Sequence, residues 1–223
     1  MSSGQTSGII QLRRLVSERF PGVRTWEEAP ASAPALRPTG LPALDALLQG
    51  GLAQNAITEV AAPGDGAGSA LFLRALLQQT HRAGQWMGLI DGQDSFDPGA
   101  LPQAVLWRLF WVRCHTAEEA LKAADILLRD RNLPLVALDL KMNPAAQLRK
   151  ISGTTWYRLQ RIVRQTATAL VVLTPHPLIA NAGMRLMLES RLTLEDLAES
   201  GEKLAAELKF ELVRFAAAES AAG

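Results

Sequence analysis

The stretch best suited to chemistry is Ala61-Ala62-Pro63-Gly64-Asp65-Gly66-Ala67-Gly68-Ser69-Ala70-Leu71. It sets three glycines and a serine between a strand-like run, Ile57-Thr58-Glu59-Val60, and a helical pattern that begins at Leu71. In α/β proteins such a turn can cradle phosphate: loop N–H groups surround the oxygens, and the next helix points the positive end of its dipole at them. The triphosphate form of the loop is G-x-x-x-x-G-K-[ST], where the lysine reaches the β and γ phosphates and the hydroxyl binds magnesium. Here only the hydroxyl remains, as Ser69. Ala62 and Ala67 stand at the two required glycines, Gly68 stands at the lysine, and Asp65 places a carboxylate where a triphosphate would lie. The missing cation removes a direct contact and the added anion repels in a confined site, so neither ATP nor magnesium is expected to bind. Taken alone, the segment is better read as a plain glycine-rich turn.

Other candidates are thinner. Asp139 ends the apolar run Leu135-Val136-Ala137-Leu138, where a carboxylate either holds magnesium or caps nearby N–H groups, and both readings stay open. The single cysteine, Cys114, excludes an internal disulfide and reads as a packing residue rather than a reactive thiol. His81, His115 and His176 are too scattered for a metal site, so none is expected. Arg149, Lys150, Arg158, Arg161 and Arg164 gather near Trp156 and Tyr157, with the last three arginines at i, i+3 and i+6 of a helix. Cations interleaved with aromatics hold single-stranded nucleic acid, and the same pattern also occurs on an ordinary solvated face. Any contact with DNA would be local and weak, because 23 Lys and Arg against 22 Asp and Glu give a formal net charge of only +1.

These residues need a scaffold, and its pattern is legible. Residues 8–20 place Ile9, Leu12, Val16 and Phe20 at helical spacing, and Pro21-Gly22 ends the run. From Glu27 to Pro38 the composition turns to Pro, Ala and Ser, which predicts an extended linker and a tethered helix over residues 1–38. From Thr39 to residue 215, strand and helix signals alternate, implying βαβ units and a mostly parallel sheet with helices on both faces. Ala169-Leu170-Val171-Val172-Leu173 reads as a central buried strand. Ser190 to Leu194 and Leu208 to Phe215 read as further strands, the second alternating as on a sheet with one wet face, and residues 216–223 as a disordered tail. A chain of 223 residues, 48% hydrophobic, supports one sizeable core. No apolar run approaches the ~20 residues that cross a bilayer, so the expectation is a soluble cytoplasmic protein.

Taken in order, several segments resemble the bacterial recombinase RecA. They are Thr39-Gly40-Leu41-Pro42-Ala43-Leu44-Asp45 with Gly50-Gly51-Leu52, then Ile57-Thr58-Glu59-Val60 and the loop after it, then Ile90-Asp91-Gly92-Gln93-Asp94-Ser95-Phe96-Asp97-Pro98. Glu118-Glu119-Ala120-Leu121 with Asp125, Leu135 to Asp139, and Ser190-Arg191-Leu192 continue the likeness across residues 39–215. The resemblance implies a RecA-like α/β core. It puts Gln93 at the glutamate that activates water, Asp139 at the second acidic position, and His176 at the glutamine that senses the γ-phosphate. Of two lysines that reach a neighbour's ATP, one matches Arg214 and the other falls at Ala216. Residues 141–153 and 175–183 stand at the two DNA-binding loops, the second much shortened. A glutamine cannot take the proton a carboxylate takes, so the resemblance implies a retired ATPase and no catalytic residue.

RecA subunits join partly through an N-terminal helix, and Ile9, Leu12, Val16 and Phe20 look similar to that element, implying docking onto RecA. Short RecA-like proteins with degenerate nucleotide motifs are found in the ImuA family, accessory factors of error-prone translesion synthesis in the SOS response. That likeness implies RecA, ImuB and an error-prone DNA polymerase as partners, at the nucleoid. Two rival expectations remain: a residual DNA-stimulated ATPase using Ser69, Asp139 and a cation from elsewhere, such as Arg74 or Arg214, and a SulA-like inhibitor of cell division.

Overall fold

Strands with continuous apolar sequence become the middle of the sheet. In the computed structural model, which describes residues 35–64, 67–190 and 195–215, β3 (Ile57–Ala61), β4 (Met87–Asp91) and β7 (Ala169–Thr174) are buried at every residue, and β6 (Leu135–Asp139) at all but its last. Burial on both faces is what helix-covered parallel strands require. Two short strands precede them, β1 (Leu36–Arg37) and β2 (Leu52–Ala53), paired antiparallel. The edges are β5 (Leu109–Arg113) on one side and, on the other, β8 (Met184–Leu188) followed by β9 (Phe210–Phe215). The seven-stranded order is β5-β4-β6-β7-β3-β8-β9, parallel throughout except for the antiparallel β8–β9 pair. The described residues belong to a compact unit spanning 35–223.

Helices cover both faces. In chain order they are α1 (Pro42–Leu47), α2 (Ser69–Arg82), α3 (Gln103–Leu106), α4 (Ala117–Asp130), α5 (Ala145–Leu148), α6 (Gly153–Val163) and α7 (Gly201–Ala206). Successive residues of β7 enter opposite layers. Ala169, Val171 and Leu173 meet the α2 residues Phe72, Leu73, Leu76 and Leu77 in one core. Leu170 and Val172 meet Leu121 and Leu128 of α4 and Trp156, Leu159 and Val163 of α6 in the other. Local sequence sets the helix ends. Thr116 caps α4 by accepting from the Glu119 N–H at 3.2 Å, the Glu119 carboxylate reaches back to the His115 N–H at 2.9 Å, and Arg131 leaves the helix at φ 61°.

The α/β class and the sheet with helices on both faces agree with the sequence pattern, and three details correct it. Leu36 and Arg37, placed in the linker, form β1, because the turn after α1 brings Leu52 and Ala53 alongside them. A strand that the pattern did not mark lies at Met184–Leu188, where it joins β3 in parallel register; of the one expected at Ser190–Leu194, Ser190 is outside any strand and 191–194 fall outside the described residues. The last strand starts at Phe210 rather than Leu208, whose side chain is buried instead. The expected helix at Ile9–Phe20, the loop residues Asp65 and Gly66, and the tail 216–223 also lie outside the described residues.

Candidate functional site

The carboxyl ends of β3, β4, β6 and β7 open on one side of the sheet, the usual place for a ligand crevice in an α/β fold. There a cavity of about 620 Å³ is lined by Gly68, Ser69, Arg74, Phe96, Asp139 and Lys141 among others. The glycine-rich turn and the strand-end carboxylate singled out from sequence therefore share a pocket. Of the other expected positions, Gln93 and His176 do not line it. Gln93 is half-buried and its side-chain oxygen accepts from Asn143 Nδ2 at 3.4 Å. His176 is exposed between Pro175 and Pro177, and Arg214 lies on β9 in register with Arg185 of β8.

Position 68 decides what the loop can hold. Gly68 is the N-cap of α2 at φ 88°, a left-handed conformation that glycine adopts freely and other residues reach only under strain. A Cβ added there would run into the Cδ2 of Leu208, far inside contact distance. Leu208 is itself buried, in the same core as Ala62 and Ala67. The place where a phosphate-binding lysine would begin is thus filled by the segment between α7 and β9. Side chains on Ala62 and Ala67 point inward too, at 0% and 4% exposure.

A cation does reach the loop, from the other side. Lys141, just beyond β6, donates from Nζ to the carbonyl oxygen of Gly64 at 2.6 Å. Its backbone N–H donates to Asp139 Oδ1 at 2.9 Å, which favours the capping reading of that carboxylate. Burial pushes the Asp139 carboxyl up to about 6; the bond from the Lys141 N–H pulls it down, Asp91 on the adjacent strand raises it, and the Lys141 charge lowers it. Asp91 is occupied elsewhere: it accepts from the N–H groups of Ser95 and Phe96, each at 2.9 Å, and so shapes the loop after β4. Among the described residues no group of His, Cys, Asp and Glu is arranged to hold a metal ion. Cys114 is buried with its thiol pushed up by that burial, as befits a packing residue.

Two residues that sequence reading missed organise the neighbouring turn. Glu59, in the middle of β3, is fully buried. Its Oε1 accepts from the backbone N–H of Leu178 at 2.6 Å and of Ile179 at 3.1 Å, and its Oε2 pairs with Arg185 Nε at 2.7 Å. Arg185 also donates to the Ile179 carbonyl at 2.7 Å. Residues 175–183 are thereby tied to the core by a buried ion pair. A carboxylate inside the fully buried strand Ile57–Ala61 was the available signal, but its partner lies 126 positions away.

The basic residues divide. Arg158 pairs with Asp125 of α4 at 3.2 Å, and Trp156 is 3% exposed, a core residue that cannot stack on a ligand. Arg149, Lys150, Arg161 and Arg164 are exposed. No helix among the described residues is long and apolar enough to cross a membrane. No family model matches the chain, and no curated protein matches it significantly.

Proposed function

We propose that the chain is a RecA-like protein without ATPase activity, an accessory factor of the SOS response that binds RecA and the translesion machinery, ImuB and an error-prone DNA polymerase, in the cytoplasm at the nucleoid. The observation that carries the loss of ATP chemistry is the filled position 68. With the space beside Gly68 taken by Leu208, the β and γ phosphates have no lysine, and the carboxyl of Asp139 is held to a backbone N–H with its affinity for protons raised. A binding surface is what remains of a recombinase core once catalysis is removed. The likeness of Ile9, Leu12, Val16 and Phe20 to the docking helix of RecA supplies the partner.

The test is capture of purified RecA by the full chain and by a variant lacking residues 1–28. Loss of capture with an unchanged circular dichroism spectrum supports docking through that helix, and undiminished capture refutes it. Capture of FtsZ in place of RecA and ImuB would point to the division inhibitor. One observation favours the residual ATPase: Lys141 brings a cation into the cavity that holds Ser69 and Asp139. Micromolar affinity for Mg-ATP that is lost on Lys141→Ala would establish that reading.

A further inference from the structure

Charge along this chain is unevenly placed. The sequence balances acids and bases overall, yet residues 140–188 contain no Asp or Glu, while Lys141, Arg149, Lys150, Arg158, Arg161 and Arg164 fall within that span. The fold places Arg158 and Arg161 on α6 and Arg164 at its C-terminal cap, still in helical conformation. The inner face of this helix, Trp156, Leu159 and Val163, is buried against the sheet. Tyr157, Arg161 and Arg164 follow at i, i+4 and i+7, which sets them on one outer face. Tyr157 is 64% exposed, and among the described residues neither Arg161 nor Arg164 takes part in an ion pair. Beside them, Asp125 of α4 serves two guanidiniums, Arg129 at 2.6 Å and Arg158 at 3.2 Å, so the border of the face is also left positive.

We infer that the outer face of α6 binds single-stranded nucleic acid, with Arg161 and Arg164 on successive phosphates and the Tyr157 ring stacked on a base. An exposed tyrosine among unpaired arginines offers both contacts a single strand can use, a π-face and backbone cations. A duplex keeps its bases stacked inside and could use only the cations. A cavity of about 470 Å³ at the head of the same helix is lined by Lys150, Ile151, Thr155 and Leu121 and also by Glu118, whose carboxylate is paired with Lys122 at 2.7 Å, and it gives a second base room beside a cation. This binding requires neither RecA nor ATP and stands apart from the accessory reading.

The experiment is fluorescence anisotropy of the full chain with fluorescein-labelled oligothymidine, the matching duplex and labelled polyglutamate, over a range of salt. Oligothymidine should bind most tightly. Tyr157→Ala should weaken it by about fivefold or more, and Arg161→Glu with Arg164→Glu should remove it. Replacing the two arginines by alanine should lower the slope of log affinity against log salt by about 1.4, ~0.7 per phosphate contact on a single strand. Arg82→Glu is the control, an exposed residue of the helix packed on the other face of the sheet, and should leave affinity within about twofold, since salt screens charges that are not close to the strand. The proposal is overturned if oligothymidine does not bind at low salt, if Arg82→Glu weakens binding as much as Arg161→Glu, or if the duplex binds as tightly. It also fails if polyglutamate binds as tightly, which would assign the face to an acidic protein.

Discussion

Gly68→Ala is the smallest change that probes the filled loop. The added methyl meets two costs. A non-glycine residue held at φ 88° costs about 1–2 kcal/mol, and pushing a methyl into a packed core costs about 1–3 kcal/mol. The obstructing atom is Cδ2 of Leu208, the end of a flexible side chain, and the next atoms, Leu208 Cγ and Ser190 Cβ, are both 3.8 Å from the added Cβ. The steric share therefore falls at its lower end, and the sum is about 2–3 kcal/mol. Leu208→Ala alone leaves a cavity at the margin of the core and costs about 2–3 kcal/mol. Because the second change removes the obstacle met by the first, the double variant should be less destabilised than the sum, by about 1 kcal/mol. Urea unfolding of all four chains, followed by circular dichroism, measures the cycle. A neutral Gly68→Ala, or strictly additive effects, would show that Leu208 does not occupy the lysine position.

Breaking the buried pair by Glu59→Gln or Arg185→Met should cost about 3–5 kcal/mol in urea unfolding, since each leaves a buried charge unpaired. Replacing both, Glu59→Leu with Arg185→Met, should cost less than the two single changes together, and an additive cost would contradict the pairing. Asp139 sets a pH dependence: its carboxyl titrates near 6 when folded and near 3.8 otherwise, so the folded chain holds the proton more tightly. This group's contribution to stability therefore falls as pH rises from about 4 to about 6, by at most ~3 kcal/mol, and is flat above. Asp139→Asn should abolish that fall and raise the urea midpoint at pH 7; a lowered midpoint at pH 7 would mean that the ionised carboxylate is stabilising.

Central strands were readable because burial on both faces forces an apolar run, and Ala169–Thr174 shows this most clearly. Met184–Leu188 was not, because Arg185 interrupts it and the charge makes sense only beside Glu59, a register partner far away in sequence. Leu36–Arg37 is two residues long and owes its strand to Leu52 and Ala53, so no local pattern announces it. In the site, the turn around Gly68 and Ser69 and the carboxylate of Asp139 were legible from type and position along their strands, and they share one cavity. Leu208 and Lys141 were not, since each acts on the loop through a long-range contact. Among the arginines of α6, sequence gave the helical spacing, while the division between the paired Arg158 and the unpaired Arg161 and Arg164 needed the position of Asp125.

The sharpest test is isothermal calorimetry of the full chain with Mg-ATP, run beside steady-state hydrolysis with and without single-stranded DNA. A loop filled by Leu208 and lacking its lysine predicts no binding heat at millimolar nucleotide and no turnover above background. Micromolar binding that disappears in Asp139→Asn, or hydrolysis stimulated by DNA, would contradict it.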